Sequence, residues 1–341
     1  AGPFADEIRR MTVVEDKKKT TTKKGETSSP TSCQPFQEMI QPSSGVHVTL
    51  PDYYSPSDTG LIVPKTADGR VVFLLPWHDA TIAGTTDAPC EAEALPRATE
   101  SEVAFILDAV KPYLTVSVRR SDVQSAWSGV RPLAADPEAE DTASTSRDHV
   151  VAVDSKSGLV TVAGGKWTTY RAMARDAVDA AVAAASLPAA RGCSTAALPL
   201  VGSAGWSRAL FAEVAQSYTV PHRPGAIDTR VARHLAASYG GRARMVTQLA
   251  EDEGLGRRLA RGHPELEAEV AYAARHEMCE TAVDFVARRT RLAFVDVAAT
   301  YQALPRVLEI MAREKGWGYW RRRREKERAE AFLETFKGGV A

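Results

Sequence analysis

The feature that most limits the fold of this chain is a single change of hydrophobic period. From Gly45 onward, Val46, Val48 and Leu50 alternate with His47 and Thr49, the two-residue repeat of a strand with one face buried. Similar runs follow at 61–64, 71–75 and 81–84, punctuated by Asp68-Gly69 and Pro76. Strand signals return at 122–130, 149–153 and 159–163, the last two joined by Lys156-Ser157-Gly158 as a hairpin turn. One helix interrupts this series. Thr99-x-x-Glu102 forms a capping box, Val103, Ile106, Leu107 and Val110 recur at helical spacing, and Pro112 limits the run. An Ala-rich helix over 170–185 leads into a linker containing Pro188, Gly192 and Pro199. Beyond it the period becomes 3.6, at 231–239, 243–251, 266–276, 281–289 and 297–313, before a charged terminal helix. The expectation is a mixed chain, α+β / α/β in class, with a sheet-containing part over 45–130, a second α/β part over 131–190 and a separate helical domain over 200–341.

Composition removes several functions. Forty-three basic and forty-three acidic residues cancel, so no global field selects nucleic acid or an anionic surface. Lys17-Lys18-Lys19 and Lys23-Lys24 sit in a Thr/Ser/Pro-rich interruption over 12–35 without interleaved aromatics, which reads as a solvated loop. Cys33, Cys90, Cys193 and Cys279 form no C-x-x-C pair, so neither a zinc knuckle nor a disulfide framework is expected. The histidines show no metal spacing, and no metal is expected. No apolar run approaches the ~20 residues that span a bilayer. Ala1-Gly2-Pro3-Phe4 running into Asp6-Glu7-Ile8-Arg9-Arg10 reads as a strand end entering a helix, so the chain is expected to start inside a longer protein.

Three segments carry chemistry. Gly164-Gly165-Lys166-Trp167-Thr168-Thr169 turns from a strand into a helix, where bare backbone and helix-start N–H groups favour negative charge. It is no Walker loop, and serves either a phosphate, the O2/N1 edge of a flavin, or only the strand–helix junction. Arg131, held between Gly129 and Pro132 at a strand end, suits a bidentate anion or an ion pair with Asp136 or Asp141. His47 faces away from Val46, Val48 and Leu50, as a general base or as a structural strand histidine. Arg321-Arg322-Arg323-Arg324, followed by Glu325 and Glu327, reads first as a mixed-charge helix face and second as a lipid-headgroup contact.

Taken in order, several motifs define a resemblance: Gly45-Val46-His47-Val48, Tyr53-Tyr54-Ser55-Pro56, Asp68-Gly69-Arg70-Val71-Val72-Phe73-Leu74-Leu75-Pro76-Trp77 and Ala83-Gly84-Thr85-Thr86-Asp87. Ala126-Trp127-Ser128-Gly129-Val130-Arg131-Pro132-Leu133, Ser146-Arg147-Asp148-His149 and Gly164-Gly165-Lys166-Trp167-Thr168-Thr169-Tyr170-Arg171 continue it. Glu267-Ala268-Glu269-Val270 and Arg288-Arg289-Thr290-Arg291-Leu292-Ala293-Phe294 extend it towards the C-terminus, and Gly254-Leu255-Gly256-Arg257-Arg258 has a plant or green-algal character. The chain resembles FAD-dependent, mitochondrial-type glycerol-3-phosphate dehydrogenase, of the D-amino-acid-oxidase-like flavoproteins.

The resemblance implies oxidation of glycerol 3-phosphate to dihydroxyacetone phosphate by hydride transfer to FAD, with electrons passed on to a quinone. It implies His47 as the base for the C2 hydroxyl, Arg131 and Lys166 as cations near the flavin, and Arg147 as a supporting substrate-binding cation. Gly164, Gly165, Lys166, Trp167 and Thr168 would meet the flavin end of FAD. The implied setting is mitochondrial, peripheral to the inner membrane, with a homodimer as the assembly. Residues 1–44 become a remnant of the FAD domain, 45–130 the substrate domain and 131–190 the return to the FAD domain. The family's G-x-G-x-x-G turn is absent from this chain. The segment holding most of the FAD is therefore expected outside it, and the polypeptide by itself is expected to lack activity. No calcium loop of the animal type is present. Two alternatives stand beside this: a related FAD-dependent amine or amino-acid oxidase, and a non-enzymatic truncated product or partner subunit.

Overall fold

The computed structural model describes residues 2–19, 36–66, 69–134, 148–188, 191–218 and 227–338, without the side chains of 13–19. Most of the Lys/Thr-rich stretch, Asp68, Asp136, Asp141 and Arg147 lie outside the described residues. The strands, in chain order, are β1 (Ile40–Pro51), β2 (Leu61–Val63), β3 (Val72–Trp77), β4 (Ala80–Gly84), β5 (Ala88–Pro89), β6 (Ser125–Ala134), β7 (His149–Val153) and β8 (Val160–Gly164). The helices are α1 (Ala5–Lys19), α2 (Glu100–Val110), α3 (Tyr170–Ala184), α4 (Leu210–Tyr218), α5 (Thr229–Tyr239), α6 (Ala243–Asp252), α7 (Glu267–His276), α8 (Leu292–Val295), α9 (Val297–Lys315) and α10 (Tyr319–Glu334). Two compact units result. One gathers Ala1–Val46, Thr85–Pro96 and Ser128–Leu198, the other His47–Gly84, Arg97–Trp127 and Pro199–Ala341.

In the first unit, Asp6 near the start of α1 accepts hydrogen bonds from the Met39 and Ile40 amides, each at 3.0 Å, and pairs with Arg9 at 2.6 Å. One carboxylate thus ties a helix start to a strand start, where both have unpaired N–H groups. Ser43 and Ser44 of β1 pair antiparallel with Pro89 and Ala88 of β5. β7 and β8 form the hairpin that the glycine turn predicts, with Asp154 accepting from the Lys156 and Ser157 amides and Gly158 at φ 72°. β6 is longer than its sequence pattern, running through Arg131 and Pro132 to Ala134 rather than ending at Arg131. A proline is tolerated where its missing N–H costs no ladder bond.

In the second unit, β2, β3 and β4 form an antiparallel meander, and β4 pairs with β1 from His47↔Gly84 to Pro51↔Ala80. α2 has the expected capping box and buries Val103, Ile106, Leu107 and Val110. Thr49 was expected on an open strand face. It is instead fully buried, its hydroxyl donating to Phe294 O at 2.9 Å. Ser125 Oγ likewise donates to Ala293 O at 2.9 Å, and the Ala126 amide to Phe336 O at 2.8 Å. These bonds explain why the sheet residues 47–84 and the helical residues beyond 199 fall in one unit, where the sequence reading drew a boundary. The helical core is built on Leu235, Tyr272, Phe285, Leu292, Met311 and Leu333, all essentially inaccessible. Residues 284–289 form a wider, π-helical turn in place of an α-helix, closed by Thr290 donating to Phe285 O.

Inside this core His234, Glu269 and Tyr239 form a polar triad. His234 Nε2 lies 2.9 Å from Glu269 Oε2, and the Tyr239 hydroxyl donates to the same oxygen at 2.8 Å. Burial disfavours the imidazolium, but the facing carboxylate outweighs that and pushes His234 up to about 9.

Two outcomes are expected. A raised histidine stabilises the fold fully below its ordinary 6.5, and that contribution is lost as pH climbs through about 9. Urea unfolding should therefore weaken by up to about 3 kcal/mol between those limits, and His234→Gln should flatten the slope. The second outcome concerns the backbone crossing where the Gly241 amide donates to Gly202 O at 2.7 Å. A side chain at residue 241 would run into the Ala204 carbonyl. Gly241→Ala should cost about 3 kcal/mol or more in urea unfolding, while Gly129→Ala, facing open space, should change it by under about 1 kcal/mol.

Candidate functional site

Arg131 lies within β6 and pairs with Asp87, while Asp136 and Asp141, the aspartates the sequence offered, lie outside the described residues. Nη1 donates to Ser44 O at 3.0 Å and reaches Asp87 at 3.4 Å, while Nη2 donates to Thr85 Oγ1 at 2.9 Å and Thr86 O at 3.2 Å. The guanidinium occupies the space a side chain at Gly45 would fill, so the glycine in β1 is a requirement of this packing. Ser43 Oγ donates to Asp87, holding the countercharge in place. About a third of the arginine side chain (32%) stays exposed, so a fixed cation remains accessible at one edge.

Gly164 and Gly165 both adopt left-handed φ, 70° and 78°. A Cβ on Gly164 would come within 2.9 Å of Asp148 O, and one on Gly165 within 2.9 Å of both His149 Cβ and Met173 Sδ. Only a bare backbone fits there. Lys166 precedes the short turn Trp167–Thr169, and neither that turn nor α3 receives a side-chain cap. Lys166 is exposed and, among the described residues, has no ion-pair partner, while Trp167 is 86% exposed and stacks on Tyr170 at 5.7 Å. The loop is held from below: His149 Nε2 lies 2.9 Å from Asp176, whose carboxyl Arg175 and then His149 hold below the usual range. A rigid backbone turn, an uncapped helix start and an exposed cation suit the anionic edge of a flavin. The residues present therefore fit that end of FAD.

His47 belongs to the second unit, whereas Arg131 and Lys166 belong to the first. Its ring stacks on Trp127 at 5.7 Å and 15°, with Phe73 at 5.6 Å. Opposite it stands Gly84, where a Cβ would come within 2.5 Å of the imidazole. The imidazole borders a cavity of about 530 Å³ with Trp77, Trp127, Arg288, Arg291 and Phe294. The aromatic rings supply an apolar wall and Arg291 adds positive charge, while Arg288 is paired with Asp284 at 2.6 Å. Arg288 and Arg291 were assigned no role from sequence. The Arg288-Arg289-Thr290-Arg291 run was their signal, and only the π-helical turn, with the chain emerging from it, shows which of them border the cavity.

Comparison with known proteins bears on the same segments. Residues 27–171 match the family described as FAD dependent oxidoreductase, and residues 193–322 the C-terminal domain of alpha-glycerophosphate oxidase. The mitochondrial glycerol-3-phosphate dehydrogenase of Arabidopsis thaliana is 53% identical over 99% of this chain and 51% of its own length. The human mitochondrial glycerol-3-phosphate dehydrogenase is 44% identical over 97% of this chain and 42% of its own length. The chain thus spans about half the length of the curated relatives it matches. A solved glycerol-3-phosphate dehydrogenase from Bacillus halodurans, complexed with FAD, superposes with a TM-score of 0.70 at 28% identity, covering 89% of this chain and 58% of that one.

Proposed function

Because this chain belongs to the FAD-dependent glycerol-3-phosphate dehydrogenase family, we propose that it supplies the substrate-handling part of such an enzyme, oxidising sn-glycerol 3-phosphate to dihydroxyacetone phosphate. The observation that carries this reading is the 53% identity to a glycerol-3-phosphate dehydrogenase over 99% of the chain, with every candidate motif inside the matched span. FAD, when bound, supplies the hydride acceptor. Gly164, Gly165, Lys166, Trp167 and Thr168 hold the flavin end, the glycines by close backbone approach and Lys166 by its charge.

His47 receives the proton of the C2 hydroxyl as the carbon–oxygen bond becomes a carbonyl. Its stacking on Trp127 fixes the ring plane before substrate arrives. The exposed edge of Arg131 and the Lys166 ammonium hold negative charge on the substrate, and Arg147 supports them. Asp87 and the Thr85 hydroxyl restrain Arg131, so it binds charge without losing side-chain freedom at that moment. Electrons pass on to a quinone, in a mitochondrial setting peripheral to the inner membrane. Exposed Tyr319 and Trp320 beside the Arg321–Arg324 run support a surface contact. No helix among the described residues is long and apolar enough to cross a membrane.

The test is dye-linked turnover by the FAD-loaded protein carrying this chain. His47→Ala, Arg131→Ala and Lys166→Ala should each lower kcat/KM by about 100-fold or more. Arg322→Ala, on the exposed face of α10, should stay within about twofold. Equal, small losses across all four variants would refute the assignment.

A further inference from the structure

The second unit holds another cavity, of about 480 Å³, which the proposed reaction does not use. It lies among the β3–β4 hairpin, α5, the residues before α7 and the segment after the π-helical turn. Its size is that of a small-molecule site.

Charge is the first observation. Arg230, Arg233, Arg289 and Arg291 all line it, together with His78, His234 and His263. Asp79 neutralises Arg230 at 2.9 Å, and Glu269 is taken by His234 and Tyr239. Arg289 is spent on Glu277 O. Arg233 lies over the Phe211 ring at 3.9 Å and makes no hydrogen bond or ion pair among the described residues. Arg291 donates through Nη1 alone, to two carbonyls at 3.3 Å. Two guanidiniums therefore present donors to the cavity without a carboxylate answering them.

The second observation is a buried carboxyl oxygen without a partner. Glu265 is 92% buried, lines the cavity, and its Oε2 has no hydrogen-bond partner. Burial, and then the Glu269 charge, push its carboxyl above the usual range, towards the neutral form that donates. An unsatisfied buried polar atom is costly, so it calls for a partner.

The third is strain. His78 and Asp79, at the tip of the hairpin, both sit at positive φ, 50° and 56°, though neither is glycine. Such conformations persist where the surroundings hold a side chain to a purpose. Burial, then Arg291 and His234, push the His78 imidazole down against the opposing pull of Asp79.

We propose that this cavity is a binding site for a small soluble phosphate-type oxyanion, gripped by Arg233 and Arg291, with His78 and the Glu265 carboxylic acid donating to its remaining oxygens. A tetrahedral oxyanion supplies many acceptors to a wall rich in donors, and guanidinium forks match it bidentately. The site contains neither Arg131 nor Lys166, and it shares Arg291 with the cavity beside His47.

The experiment is calorimetric titration of the protein carrying this chain with inorganic phosphate, against chloride at equal ionic strength. Saturable binding with phosphate alone is expected. Arg233→Met and Arg291→Met should each weaken it at least tenfold, and Glu265→Leu should weaken it where Glu265→Gln, which keeps a donor, does not. An Arg131→Ala, Lys166→Ala protein should bind phosphate here unchanged, with circular dichroism verifying the fold of each variant. No preference for phosphate over chloride, or binding that is lost with Arg131 and Lys166 but kept in Arg233→Met, would overturn the proposal.

Discussion

The guanidinium of Arg131 fills the gap left by the missing side chain of Gly45, and much of the first unit follows from that contact. Four acceptors on two segments surround it: the Ser44 carbonyl, the Asp87 carboxylate, the Thr85 hydroxyl and the Thr86 carbonyl. A partly buried arginine with so many partners acts as a cross-link between β1, β6 and the segment after β4. Its charge is thereby fixed in position, which is what recognition of a small anion requires, since a freely rotating lysine would lose entropy on binding. The same logic applies to His47. Trp127 on one face and Phe73 beside it leave the imidazole little freedom, and Gly84 leaves it room.

Much of this was legible in sequence wherever a local rule decides the outcome. The α2 core face follows from i, i+3, i+4, i+7 spacing, and its start from Thr99 and Glu102. The β7–β8 turn follows from Gly158, and α9 from its apolar period. Local rules fail where tertiary contacts decide. Thr49 looked like a solvent-facing strand residue because no pattern announces that the Phe294 and Val295 carbonyls need its hydroxyl. α4 was not separated from its surroundings, being short and next to a proline- and glycine-rich linker. The π-helical turn at 284–289 reads as an ordinary helix, because one extra residue per turn barely changes the hydrophobic period.

The candidate residues were legible in sequence, but their supports were not. Gly164, Gly165, Lys166, Arg131 and His47 stand out by type and position. That Asp87 answers Arg131 depends on how β1 and β5 pair, which no spacing encodes. Arg291 is one of six arginines and lysines within residues 286–315, and only the chain path around it distinguishes it from surface charge.

The central claim is that this chain handles a phosphorylated secondary alcohol for a flavin. Anaerobic mixing of the FAD-loaded protein carrying it with sn-glycerol 3-phosphate tests that most directly. The account predicts bleaching of the flavin absorbance with one equivalent of dihydroxyacetone phosphate formed, and no bleaching by glycerol or by amino acids. Bleaching by an amine or amino acid, with glycerol 3-phosphate inert, would contradict it.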